Sequence, residues 1–341
     1  MGNEKGLTGV LVTGGGGFVG SALVRRLVGS GYRVTSFSRG DYPDLRKLGV
    51  TVIRGDLKNR LEVLKAAEGQ SIVIHAGALA GFWGTAGAYE KTNVQGTNHI
   101  IEACLKNKVD KLIYTSTAST VFGGKSIVNG RQDLGYPERP LSHYCRTKAL
   151  AERSVLNANG GSLRTISLRP HIVTGPGDNH IIPRLIGRAE KGRLRIIGNG
   201  SNFIDTVFID NLVDAHILAI RALDGNPGCR GKAYFITNGE PVNLWDFVNL
   251  ILEGTGLPPV TKRIPYRVAL PLSSILSGVY KLIPSLGEPL LTPFLVRELA
   301  QSHWFDPGPA RRDLGYSPSI STQEGLEILV RHLKRARTTD F

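Results

Sequence analysis

The stretch VLVTGGGGFVGSALVRRL, Val10 to Leu27, constrains this chain more than any other, because it sets a short apolar run, a glycine turn and an amphipathic segment end to end. Val19, Leu23 and Leu27 recur at i, i+4 and i+8 and stop before Gly29 and Gly31, which marks one apolar helix face with a glycine end. Between strand and helix stand Gly14, Gly17 and Gly20. Gly14 permits a tight turn, Gly17 lets a backbone approach a pyrophosphate, and Gly20 lets the helix pack closely on the strand. The first helical turn then presents unpaired N–H groups and a favourable dipole to phosphate. A glycine-rich loop alone carries little information; one placed after an apolar strand and before such a helix predicts a dinucleotide site.

The rest of the first half supports that reading. Val10 to Thr13, Arg33 to Phe37, Thr51 to Ile53, Ser71 to His75, Lys111 to Ser116 and Arg164 to Leu168 are short β-branched runs separated by helical patterns. Such alternation predicts βαβ units and a parallel sheet. The expected class is α/β, a Rossmann-type doubly wound parallel sheet with a smaller C-terminal substrate-binding lobe. After Pro176 glycine and proline become frequent, and Ile264 to Leu286 mixes apolar residues with Pro265, Pro271 and Pro284, which reads as broken helices or an apolar flap. Lys232 to Ile236 reads as one more buried strand. The expected division is therefore 5–178 plus 203–240 for the cofactor domain, 179–202 plus 241–332 for the substrate lobe, and 333–341 for a basic tail.

Composition narrows the function. Cys104, Cys145 and Cys229 are odd in number and form no C-x-x-C pair, so no metal site or disulfide framework is expected, and a reducing, cytoplasmic setting fits. The start MGNEKGLTGV lacks an apolar signal core, and Gly6 stands where a myristoylation motif wants Ser or Thr. The longest charge-free C-terminal stretch, Val268 to Tyr280, is far short of the roughly 18 to 20 residues that span a bilayer. The net charge of +14 is mostly scattered, and its concentrated part is RHLKRAR, Arg331 to Arg337. That segment either rests peripherally on anionic membrane or solubilises the C-terminus. No aromatic-rich basic stripe accompanies it, so no nucleic-acid partner is expected.

The second strand ends at Phe37-Ser38-Arg39, about 20 residues beyond the glycines, where NAD enzymes place an acid on the ribose 2′-hydroxyl. Ser38 and Arg39 suit a 2′-phosphate, so NADP(H) is favoured over NAD(H), with Asp41 close enough to argue for the latter. Among ten tyrosines only Tyr144 has a lysine four residues later, Lys148, within HYCRTKALAERSVL. On a helix the two share a face, and an adjacent ammonium lowers a phenol pKa towards general acid/base work. Upstream, KLIYTSTAST ends in Thr115, Ser116, Thr117, Ser119 and Thr120 at a strand's carboxyl end, where one hydroxyl can face the cofactor cleft and a substrate carbonyl. Most of the five are expected to cap their own backbone.

TGGGGFVG, GDL at Gly55 to Leu57, HAGA at His75 to Ala78, TNVQGT with Asn93, YTST, HYCRTK, RPHIVTGPGD and FIDNLVDAH together resemble the extended short-chain dehydrogenases, specifically the 3β-hydroxysteroid dehydrogenase/isomerase family, over nearly the whole chain. The resemblance implies Tyr144 as proton donor and acceptor, Lys148 on the nicotinamide ribose, and Thr117 in place of the family's catalytic serine, with Ser116 competing. It implies a cofactor wall of Gly14, Gly17, Phe18, Val19, Gly20, Ser38, Arg39, Asp56, Leu57, Ala76, Asn93, Tyr144, Lys148 and Pro170. FWG at Phe82 to Gly84 and the late HWF are similar to reductases of bacterial 2-alkyl-3-ketoalkanoates, whereas FGG and HYCRTKALAE are similar to sterol dehydrogenases. Either implies an apolar substrate interconverted between 3-keto and 3-hydroxy forms, and a homodimer through Tyr89 to Cys104 and Tyr144 to Leu156. A neighbouring carboxylate would add decarboxylation, and isomerase activity stays open. The rivals are a nucleotide-sugar epimerase or dehydratase on the same fold and a non-catalytic NADP-sensing protein.

Overall fold

The structure, a computed structural model, describes residues 7–339, so the readings made on the first six and last two residues lie outside the described residues. Seven strands form one sheet: β1 (Gly9–Thr13), β2 (Arg33–Ser38), β3 (Thr51–Arg54), β4 (Ile72–His75), β5 (Lys111–Thr115), β6 (Arg164–Pro170) and β7 (Lys232–Ile236). Their spatial order is β3-β2-β1-β4-β5-β6-β7, and every neighbouring pair is parallel. Both faces are covered, which explains why these strands read as continuous apolar runs. Val10 and Val12 point to one face with Leu23, Val24 and Leu27 of α1 (Phe18–Gly29); Leu11 points to the other, with Ile100 and Ala103 of α2 (Gly96–Lys106) and Ala151 and Val155 of α3 (His143–Asn157). The three α1 residues are fully buried, and burial of each contributes about 1.5–3 kcal/mol.

The chain order reverses between β1 and β4, so a crevice opens beyond their carboxyl ends at Thr13 and His75, which are paired in register. Beside it lies a smaller lobe, with α4 (Ile181–Glu190) at its edge. Its core joins Ile196, Ile197 and Ile204 to Leu244, Trp245, Val248 and Leu252.

The division between the two parts differs from the sequence reading. Phe203–Ile204, expected in the cofactor domain, pairs with Val242–Asn243 and His303–Phe305 in a small sheet that Ile127–Gly130 also joins. Conversely α9 (Gly308–Leu314), expected in the lobe, returns to the large core, where Ala310, Leu314 and Tyr316 pack with α5 (Ile209–Gly225). These exchanges follow from apolar residues that each local segment cannot bury alone.

Of the expected broken helices or apolar flap, the segment forms one helix, α7 (Tyr266–Leu282), with Pro271 inside it and a 3-10 turn, Pro284–Leu286, after it; α7 lies between α6 (Leu244–Gly254) and α8 (Pro293–Ala300). That proline costs the bond to the Arg267 carbonyl, but it sits early in the helix on an exposed face, where the freed oxygen is open to solvent. The start of the basic tail continues a helix, α10, which runs from Thr322 to Thr339. Among the described residues no helix is long and apolar enough to cross a membrane.

Candidate active site

Gly14 adopts φ +69° and its N–H bonds to the Phe37 carbonyl at 2.8 Å, closing the turn from β1 against β2. A Cβ on Gly20 would lie 2.0 Å from the Gly14 carbonyl oxygen, so only glycine lets α1 sit this close. Gly17, which caps α1, offers no side chain to the helix N–H groups, and no acid stands in the first turn. This bare helix start forms one end of a cavity of about 1340 Å³. It fits a dinucleotide phosphate by both shape and dipole. Behind it, the Thr13 hydroxyl accepts from Gly77 N–H at 3.0 Å and donates to His75 Nδ1 at 2.7 Å; His75 Nε2–H then donates to Thr97 at 2.9 Å. Burial, with Lys148 adding to it, lowers the His75 pKa to about 3 and keeps the ring neutral.

Gly14, Gly17, Phe18, Val19, Gly20, Ser38, Arg39, Asp56, Leu57, Ala76, Tyr144, Lys148 and Pro170 all line this one cavity, although they come from every part of the first half of the chain. Ser38 Oγ accepts from Gly16 N–H at 3.2 Å, and Arg39 is exposed at the cavity edge. Asp41, the acid that argued for NAD, is held by Arg46 at 2.6 Å. Burial works to raise the Asp56 pKa, but Lys58 and, more weakly, Arg39 bring it below the ordinary value. Asn93 is the exception among the expected cofactor residues. It is buried away from the cavity, accepts from Leu79 N–H at 2.7 Å and donates to the Leu79 carbonyl and Thr147 at 3.1 Å each. It therefore shapes the Leu79 loop from a π-helical turn, Glu90–Gln95, and is no part of the wall itself.

Four of the five hydroxyls at the end of β5 separate by partner. Thr115 Oγ1 meets His216 Nε2 at 2.8 Å, Thr120 donates to the Thr117 carbonyl at 2.8 Å, and Ser116 is buried beside Glu152. Thr117 accepts from Ser119 N–H at 3.3 Å, which leaves its own proton for Tyr144. Burial raises the Tyr144 pKa and the Thr117 hydroxyl opposes it. The expected depression by Lys148 is not what this geometry produces. Lys148 Nζ instead donates to the Thr115 carbonyl at 2.6 Å and lies 4.1 Å from the centre of the Tyr114 ring. Burial lowers its own pKa to about 7, with Glu152 working against that. Sharing a helix face brought the two side chains to one wall, but the strand end inside α3 captured the ammonium.

Two buried networks escaped the sequence reading. Glu152, one turn beyond Lys148, accepts from Ser167 at 2.6 Å, Tyr136 at 2.7 Å and Arg169 at 2.8 Å. Its position four residues after Lys148 on the same face was the available signal. The other ties Asp205 to His171 and His171 to His303 at 2.9 Å, with His303 donating to the Glu298 carbonyl at 2.8 Å. No local pattern announces it. Cys145 is buried, its thiol pushed up to about 12 by that burial, which makes it inert.

Past Tyr144 the cavity enters the small lobe between Leu185, Trp245, Val248, Leu276, Leu291 and Leu295. Phe82 bridges the two halves, with ring centres 6.2 Å from Tyr144 and 4.7 Å from Phe294. The volume exceeds the roughly 300–1,000 Å³ that one small ligand fills, leaving room for a dinucleotide and an apolar substrate together.

The sequence profile of the 3-beta hydroxysteroid dehydrogenase/isomerase family matches residues 11–266. The chain belongs to that family. Its relatives include a 2-alkyl-3-oxoalkanoate reductase of Stenotrophomonas maltophilia, 46% identical over 94% of this chain and 98% of the relative. A decarboxylating sterol-4-alpha-carboxylate 3-dehydrogenase of Mus musculus is 35% identical over 96% of this chain and 91% of the relative. Among solved structures, MoeE5 in complex with UDP-glucose and NAD has a TM-score of 0.74 at 28% identity, covering 96% of this chain and 99% of MoeE5. This member of the 3-beta hydroxysteroid dehydrogenase/isomerase family is thus an NAD(P)-dependent oxidoreductase acting on hydroxyl or keto groups, with the Rossmann-type architecture expected from its glycine turn.

Proposed function

We propose that this oxidoreductase interconverts a 3-keto and a 3-hydroxy group on a large apolar substrate of the 2-alkyl-3-oxoalkanoate or sterol kind, and uses NADP(H) in preference to NAD(H). The observation that carries the reading is the position of Tyr144 and Thr117, in the wall of one continuous cavity whose one end is the glycine turn and whose other is apolar. A bound nicotinamide supplies or accepts the hydride. Tyr144 donates the proton to the substrate oxygen in reduction and takes it back in oxidation, while the Thr117 hydroxyl orients that oxygen and favours the phenolate. Lys148, with N–H donors to spare beside its bond to the Thr115 carbonyl, would hold the nicotinamide ribose. Arg39 and Ser38 would hold the 2′-phosphate, a preference supported by the engagement of Asp41 with Arg46. Reduction is the direction NADPH favours, and a carboxylate beside the carbonyl makes the oxidised product prone to lose carbon dioxide.

One feature supports a nucleotide-sugar substrate instead: Arg184, Arg188, Arg193 and Arg195 also line this cavity. Burial, with Arg184 beside it, lowers the Arg188 pKa against Glu288, so an incoming anion would relieve that cation. A substrate carboxylate would serve as well as a diphosphate. The deciding assay offers NADPH and NADH with a 2-alkyl-3-oxoalkanoate, a 3-keto steroid and UDP-glucose. Lasting, stoichiometric NADPH oxidation with an apolar ketone, reduced about 10²–10⁴-fold in Tyr144→Phe with cofactor binding retained, is the expected result. Tight NADPH binding without turnover of any ketone would overturn the proposal.

A further inference from the structure

Two donors on the cavity wall are left without an acceptor. Trp245, near the start of α6, lines the cavity and is only 4% exposed, yet its indole Nε1–H bonds to no group among the described residues. Arg188, half-buried in the last turn of α4, lines the same cavity and makes no hydrogen bond or ion pair among the described residues. Both belong to one part of the lobe: Leu185 and Ala189, which flank Arg188 on α4, pack into the apolar cluster that holds Trp245. A buried donor is bonded as a rule, so an open one beside an uncommitted cation points to a ligand that supplies the acceptors.

The acids that line the lobe side of the cavity are committed elsewhere. Glu288, whose field reaches Arg188, is bonded to Arg184 at 3.1 Å; Asp178 accepts three backbone N–H groups at the start of α4; Glu298 meets His303 at 3.4 Å. Arg195 spends its guanidinium on the Gly192 and Leu194 carbonyls, and Arg193 is exposed. One indole N–H and one guanidinium fork, set among Leu185, Val248 and Ile251, complement a single carboxylate on a carbon skeleton. A diphosphate carries more charge than one cation offsets. We propose that Arg188 and Trp245 form a subsite for the carboxylate of an apolar keto acid. The proposal rests on the apolar-ketone reading above and narrows it from ketones at large to acids held by their charge as well as by their carbon chain.

NADPH oxidation by the full chain is compared for a freshly hydrolysed 2-alkyl-3-oxoalkanoate, a 3-keto steroid with a side-chain carboxylate, and the methyl ester of each. The pair in which the acid is preferred tells whether the carboxylate stands beside the carbonyl or at the far end of the skeleton. Wild type is expected to prefer one acid to its ester, and Arg188→Gln to reduce that preference in kcat/KM by about 10–100-fold, chiefly through KM. Trp245→Phe, which keeps the ring and removes the N–H, should reduce it by about 3–10-fold, and Arg188→Lys should recover part of the loss. Calorimetry with dodecanoate, which has the carboxylate and no ketone, should show binding that weakens in the same variants. Acid and ester used equally well by wild type, or a preference unchanged in Arg188→Gln, overturns the proposal. So does UDP that binds more tightly than dodecanoate and is lost in Arg188→Gln, which would assign the subsite to a nucleoside diphosphate. Dodecanoate binding that needs Arg188, in a protein that turns over no ketone, would sink the ketone reading and leave the carboxylate subsite standing.

Discussion

Changing Glu152 to glutamine removes one negative charge from the interior with almost no change of shape. Glu152 is fully buried and accepts bonds from Ser167, Tyr136 and Arg169 at 2.6–3.2 Å. Arg169 is only 4% exposed, and its Nη1 has no bonding partner even in the intact protein. A guanidinium does not give up its proton, so the variant must keep a buried, unpaired cation. Breaking such a pair costs about 3–5 kcal/mol, a large share of the roughly 5–15 kcal/mol that stabilises a typical fold. Urea unfolding should show a lower midpoint at nearly constant slope. Replacing both partners with methionine should restore much of the loss, because neither charge is then stranded. Glu152 also holds the Lys148 pKa up against burial, so the pH profile of turnover in Glu152→Gln should move to lower pH. A loss below about 1 kcal/mol, or single and double variants of equal stability, would refute this account of the pair.

Arg39→Ala should raise the NADPH Michaelis constant by about 10–100-fold, the worth of a charge-assisted bond to phosphate, and leave that of NADH within about threefold; equal effects on both would remove Arg39 from cofactor choice. Burial depresses His75 to about 3 and His216 to about 4, so both are neutral when folded and take up protons at the ordinary pKa near 6.5 when unfolded. Their contribution is complete above about 6.5 and is lost as pH falls towards 3–4, each giving a slope of up to about 1.4 kcal/mol per pH unit. His171, raised on balance by Asp205 against burial, has the opposite sign and contributes below its unfolded pKa. Denaturant midpoints that stay flat from pH 6.5 to 4 would contradict the buried neutral rings.

Much of the fold was legible because its code is local. The glycine turn, the period-two strands and the three-to-four residue spacing of α1 are properties of neighbouring residues, and six expected strands of the first half recur as β1 to β6 within a few residues. Lys232–Ile236 was recognisable as a strand for the same reason. Proline misled where composition outweighed position, since Pro271 breaks only one bond of a helix that continues past it. The site was legible as residue types, while their assignments were not. Five hydroxyls crowd the end of β5, and nothing local says that Thr115 belongs to His216 or Ser116 to the Glu152 pocket.

By itself the sequence determined a strand, a phosphate turn and a helix, and a Tyr144 and Lys148 on one helix face, because each depends on spacing along the chain. Only the tertiary structure decided that Lys148 reaches the Thr115 carbonyl, that Asn93 clamps a loop behind the cavity, and that His171 meets His303 from 132 residues away. A buried polar group must find its partner wherever the fold supplies one, so its bonding is set by packing between distant segments. Arg188 and Trp245 show the same division: their types are written in the sequence, but that neither meets an acceptor among the described residues appears only once every other element has been placed.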